Sequence, residues 1–206
     1  MTNEVTEKNR DRGTSTEKKL DDLYDLIDGM EVCMMTTRRS DGHLVTRPMQ
    51  AQGRAGVADL WFVTDIEANK LDELATDPHV NLGFYNSKSR EWVSVSGLAQ
   101  VSTDRELVRA LYKPDWKAWF PNEGGNRDGS PDDPRMALIL VEAHTVVYSK
   151  NNKPRPLVLF EVMKAMATGT APDVADLRTV TEREMGRPPA RESAPRAGKE
   201  GGGAPA

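Results

Sequence analysis

Apolar side chains recur at helical spacing early in the chain: Leu20, Leu23, Tyr24 and Ile27 stand at i, i+3, i+4 and i+7. Thr14 with Glu17 three residues on is a capping-box pattern ahead of them, so the spacing predicts an amphipathic helix ending near Gly29. The period then shortens. Residues 32–37 are a β-prone run, Ser40, Asp41 and Gly42 supply turn chemistry, and residues 44–51 resume an extended pattern, which together predict a hairpin. Residues 60–64 predict a third strand, on which Trp61 and Phe62 point to opposite faces, so at least one of them belongs to a core. A short helix is expected over 67–75, stopped by Asp77-Pro78, because proline disfavours helical geometry in the residue before it.

Residues 80–85 and 92–101 read as further strands. Thr103 with Glu106 is a second capping box, opening a helix that carries Leu107, Val108, Leu111 and Tyr112. Residues 114–134 are rich in Gly, Pro, Asn and Asp yet hold Trp116, Trp119 and Phe120, as expected of a loop that covers something rather than a plain linker. Strands over 136–142 and 145–148 follow, then a mostly apolar helix over 156–167. Six to seven short antiparallel strands with marginal helices predict a mainly β fold, a small barrel.

Composition divides the chain. Residues 1–13 carry one aliphatic side chain besides Met1, and 187–206 carry no large apolar one, so both read as disordered tails. The functional domain is placed at 14–168, with 169–186 as a C-terminal helical extension. A net charge of -4 with interspersed signs argues against nucleic acid. No apolar run approaches membrane-spanning length and the N-terminus has no signal-peptide core, so a cytoplasmic protein is expected. Cys33, among Val32, Met34 and Met35, reads as a buried small residue.

Three segments bring donors and cations to strand ends. Thr46-Arg47-Pro48-Met49-Gln50 has a proline inside a strand pattern, which marks an edge or bulge. Phe62-Val63-Thr64-Asp65 leads to Asn69-Lys70, setting a hydroxyl and a lysine near a helix start, where a phosphate would be comfortable. Arg90 to Gly97 alternates small polar and apolar residues behind Trp92. Asp72, Glu73 and Glu106 read as a solvated charged face.

The order and spacing of these segments resemble the FMN-binding split β-barrel of the pyridoxamine 5'-phosphate oxidase-like superfamily. The resemblance covers about Leu20 to Tyr148 and rests on Arg47-Pro48-Met49, on residues 60–64 with Asn69-Lys70, on 71–74 ending at Asp77-Pro78-His79-Val80, and on 93–99. The tryptophan-bearing loop followed by a late strand is similar to the general stress protein 26 group. The resemblance implies FMN as cofactor, with Arg47 and Lys70 on its phosphate, Thr64 on phosphate or ribityl oxygens, and the backbone at Met49 and Val63 along the isoalloxazine edge. Pro48 and Asn69 belong to the same motifs, and Trp116 is a candidate lid over the flavin, though packing of its loop or a dimer contact would serve equally.

It further implies a homodimer and an oxidoreductase, stress-related by its subgroup name, that cycles its flavin with NAD(P)H or another small-molecule electron donor or acceptor. A non-enzymatic store of flavin, F420 or haem is the alternative. Vitamin B6 oxidation is not implied, because Trp92 stands where those oxidases have glutamine and the C-terminus lacks their Arg-rich motif. His43, His79 and His144 are the residues a haem would call on, and the sequence places none of them in a pocket. No catalytic residue and no metal ligand is identified.

Overall fold

The computed structural model describes residues 4–11 and 13–186. Its elements are α1 (Glu4–Asn9), α2 (Thr16–Met30), β1 (Val32–Arg38), β2 (Leu44–Gln50), β3 (Leu60–Asp65), α3 (Lys70–Thr76), β4 (His79–Tyr85), β5 (Trp92–Ser102), α4 (Arg105–Leu111), a 3₁₀ helix (Pro114–Ala118), β6 (Met136–Asn151), α5 (Arg155–Thr168) and β7 (Ala175–Thr181). The strands form one curled antiparallel sheet in the order β2-β1-β4-β5-β6-β3, with β7 also pairing to β6. This is the expected mainly β architecture, a split barrel: β2 and β3 end the strand order, and among the described residues no ladder joins them. A single backbone hydrogen bond, from Gln52 to the Trp61 carbonyl at 3.0 Å, spans the split at one end.

Strand alternation builds the interior. On β1, Cys33, Met35 and Thr37 are buried between exposed or half-buried neighbours, and Cys33 and Met35 join Leu23, Leu26 and Ile27 of α2 and Phe62 of β3 in the barrel core. Trp61, one residue away from Phe62, faces the opposite side. There it packs with Val108, Trp116, Phe120, Met136 and Leu138 in a second cluster formed by α4 and the Trp-bearing loop. Both aromatics of β3 are therefore core residues.

Several boundaries differ from the sequence expectation. The caps lie one residue later: Ser15, not Thr14, accepts from the Lys18 amide, and Asp104, not Thr103, accepts from Glu106 and Leu107. Thr14 instead donates to Asp11. The two late strands are one continuous β6, because His144 is absorbed as an extra residue where the register shifts opposite Ser96 and Gly97. Gly97 is required at that bulge, since a Cβ there would meet the Glu142 carbonyl oxygen at 2.0 Å.

The termini also depart from expectation. Residues 169–186 were expected to be helical, but 175–181 form β7, paired along β6 from Thr145 to Asn151. Residues 4–11 are structured where a disordered tail was expected: α1 ends against β7, with Asn9 Nδ2 donating to the Pro172 carbonyl at 3.0 Å and the Asp11 amide donating to Leu177. The expectation for 187–206 falls outside the described residues.

What fastens this corner is a buried ion cluster. Asp22 of α2, 2% exposed, accepts from Lys18 at 2.6 Å, from Lys150 of β6 at 2.5 Å and from Arg178 of β7. Arg178 also bonds Asp11 at 2.6 Å and Asp176 at 2.8 Å. Burial works to raise the Asp22 carboxyl, but the hydrogen bonds from Lys150, Lys18 and Arg178 outweigh it and hold the group at about 2.

Candidate functional site

Alternation along β2 turns Val45, Arg47 and Met49 to its half-buried side and leaves Leu44, Thr46, Pro48 and Gln50 exposed. Pro48 sits on an edge strand, where a residue without an N–H breaks no ladder. The Arg47 guanidinium forks: one nitrogen donates to the Thr37 hydroxyl and the other to Glu73 Oε2, both at 2.6 Å. Thr37 in turn donates to the same Glu73 oxygen. Glu73 is thus half-buried and paired, not part of a solvated face; α3 brings it to β1 and β2 from 26 residues away along the chain, a distance no local pattern signals.

On the other edge, Thr64 of β3 is buried and accepts from Lys70 Nζ at 2.7 Å. Lys70 opens α3 directly after Asn69, whose side chain makes no capping bond. Arg47, Asn69 and Lys70 line one open cleft of about 840 Å³ together with Arg39, Val45 and Glu73. Arg39, from the turn after β1, was not anticipated from the sequence.

The electrostatics of the cleft are uneven. Burial pushes the Lys70 ammonium below the ordinary lysine value, and the Arg47 charge pushes it further down, while Asp65 and Glu73 oppose this from a distance. Among the described residues, no carboxylate lies within ion-pair range of Lys70; its hydrogen-bond partner is the neutral Thr64 hydroxyl. Arg39, Arg47 and Lys70 therefore share this space with the carboxylates of Glu67, Asp72 and Glu73, and of the three cations Lys70 is held by a hydroxyl instead of a carboxylate. An anion placed there would relieve the repulsion between Arg47 and Lys70 and meet unused donors on both, since arginine carries five N–H groups and lysine three.

The other sequence candidates are placed differently. Met49 packs on the barrel core and Val63 on the second cluster, so only their backbones can border the split. Trp116 is not at the cleft: it is 2% exposed, stacks edge-on against Trp61 and Tyr112, and donates Nε1–H to Gln52 at 3.3 Å. A lid role for it is thereby replaced by packing. His43, His79 and His144 pair with Asp41, Asp77 and Glu182, and none of these six residues lines the Arg47–Lys70 cleft. The Cys33 thiol is buried and pushed up to about 12, an inert group rather than a nucleophile. Among the described residues no helix is long and apolar enough to cross a membrane, and no cluster of His, Cys, Asp or Glu could hold a metal ion.

Comparison with known proteins agrees with this fold. Residues 18–173 match the family model described as pyridoxamine 5'-phosphate oxidase like. The chain is 39% identical over 180 residues to protein bli-3 of Neurospora crassa, covering 86% of each. Among solved structures, general stress protein 26 of Bacillus anthracis superposes with a TM-score of 0.52 at 22% identity, over 63% of this chain and 92% of that one. A pyridoxamine 5'-phosphate oxidase-related, FMN-binding protein of Nostoc punctiforme superposes with a TM-score of 0.52 at 14% identity, over 63% and 82%. With the family model spanning most of its length, the chain belongs to the pyridoxamine 5'-phosphate oxidase-like family.

Proposed function

We propose that the chain binds FMN at the split between β2 and β3, the phosphate gripped by Arg47 and Lys70, and acts as a flavin-dependent oxidoreductase within a cytoplasmic homodimer. The observation that carries this reading is the half-buried Lys70 ammonium beside Arg47, held by a hydroxyl and with no carboxylate among the described residues in ion-pair range. A phosphate monoester, with close to two negative charges, suits that imbalance. Glu73 and Thr37 fix the plane of the Arg47 fork, so its remaining N–H groups are presented rather than searched for. Thr64 does the same for Lys70, and Asn69 adds an uncommitted carboxamide at the rim. FMN, when bound, supplies the electron-transfer chemistry; the chain's own part is to hold and orient it.

Family membership supports the flavin, as does the likeness to a protein described as FMN binding. A second reading, binding or storage of flavin without turnover, is favoured by the ionisable groups around the cleft: Arg47 with Glu73 and Glu67 with Arg127 are tied in structural pairs. One experiment separates the two. The protein as purified, or after incubation with FMN and desalting, should be yellow with a flavin spectrum. Rapid anaerobic bleaching by NADH or NADPH establishes the oxidoreductase, slow bleaching the store, and a colourless protein that takes up no FMN overturns both.

A further inference from the structure

Helix α5 is apolar nearly all round, yet it turns most of its large side chains to solvent. Its half-buried residues are Val158, Glu161 and Ala165, at i, i+3 and i+7, and so they mark the side turned to the body. The opposite side carries Leu159, Phe160, Met163 and Met166, the last two 61% and 82% exposed, and Leu157 and Val162 are exposed beside them. A surface helix of a lone domain normally shows solvent its charges and the body its apolar stripe. Here the body-facing row holds the glutamate, which reaches Lys153, itself anchored on Asp173 at 2.8 Å. The apolar stripe is therefore held outward by the helix's own attachment.

A second apolar surface lies on the outer face of the sheet. Val32 and Met34 of β1 and Tyr85 of β4 are exposed there, and Gly83, directly opposite Met34, leaves a gap without a side chain between them and Ser94. The two surfaces lie at the same end of the barrel. Trp92, the register partner of Tyr85, pairs with Ser149, and two residues later β6 ends at Asn151 and the chain turns into α5.

We propose that α5 docks on the outer sheet face of a second copy of this chain, and that the second copy's α5 docks reciprocally on the first. Such an exchange is isologous and closes on itself as a two-fold dimer. The nine side chains leave the equivalent of about five whole large residues in solvent, on the order of 800 Å² per copy, which is what a stable interface covers on each partner. The chain's own segment 187–206 cannot cover α5, because it holds no large apolar residue. A lipid surface fits less well: the stripe is not bordered by a basic face, and the chain carries a net charge of -4. This inference names the surface of the homodimer proposed above and does not rest on the flavin.

The test is sedimentation velocity on the full chain at about 10 μM, using L159E/M163E on the helix and V32E/Y85E on the sheet, all at positions already exposed. The wild type is expected to sediment as a dimer and each double variant as a monomer. An equimolar mixture of the two variants should recover dimer, because one intact helix still meets one intact sheet face; that recovery also shows both variants to be folded. A monomeric wild type overturns the dimer altogether. A dimer that persists in L159E/M163E, or a mixture that recovers nothing, overturns the role of α5 while leaving the dimer standing. Co-sedimentation of the wild type as a monomer with phosphatidylcholine–phosphatidylserine vesicles would make the occupant a membrane and sink the proposal.

Discussion

Charged side chains crowd together around Asp22 and around Lys70, and these two regions differ in how their charges are matched. At the first, Lys18, Lys150 and Arg178 meet Asp11, Asp22 and Asp176, and each charge has an opposite within ion-pair distance. At the second, Arg47 and Lys70 share a cleft, Glu73 answers Arg47, and a hydroxyl answers Lys70. In the first set Asp22 and Arg178 are buried, with Lys18 reaching them from the surface; the second opens to solvent. Matched charges around a buried carboxylate hold chain segments together, whereas an unmatched cation beside an open space is a place for something to bind.

Substitutions should separate the two. Asp22→Asn leaves Lys18, Lys150 and the buried Arg178 without their shared carboxylate, and should cost about 3–5 kcal/mol in a urea titration. FMN affinity of the folded fraction should hold, because the cluster lies away from the cleft. A loss of affinity without a loss of stability would reverse the roles assigned here.

Acid breaks the same cluster by protonation. A carboxyl held at about 2 against an ordinary value of 3.8 contributes stability that is complete above about pH 5 and drains away as the pH falls through 4 towards 2. For Asp22 that is about 2 kcal/mol. Asp11, lowered to about 2 chiefly by its bond from Thr14, adds in the same direction. Urea midpoints measured from pH 6 to pH 3 should fall for the wild type and fall less steeply for Asp22→Asn.

Next in size is the cleft itself. Arg47→Ala combined with Lys70→Ala should weaken FMN binding by more than 1 kcal/mol, about one charged hydrogen bond or more, read from a flavin titration. Unchanged affinity would show that the phosphate sits elsewhere.

Much of the scaffold was legible in the sequence because its signals are local. The 32–50 hairpin, the opposed Trp61 and Phe62, and the helix stop at Asp77-Pro78 each follow from neighbours a few residues apart. Contacts between distant segments were not legible. Strand β7 has weak periodicity and is fixed by pairing with β6; Asp22 and Arg178 lie 156 residues apart; Glu73 looks like any helical surface carboxylate until Arg47 is brought beside it. Trp116 misled for the opposite reason. An aromatic in a polar loop suggests a lid, yet Trp61 and Tyr112 supply enough apolar surface to bury it.

The smallest effect is the most telling, because its sign is opposite to that at Asp22. Lys70→Met keeps the long stem that packs at the start of α3 and removes a charge that burial and Arg47 both disfavour. Thr64 loses a donor, but its own hydroxyl remains within 3.4 Å of the Asp65 carbonyl. The flavin-free protein should therefore gain up to about 1 kcal/mol in a urea titration, while its affinity for FMN falls. Lys150→Met, the same change at the matched cluster, should lower stability instead. If both lysines respond alike, the ammonium at Lys70 is as well satisfied as the one at Lys150, and the cleft has no unmet charge with which to recruit a phosphate.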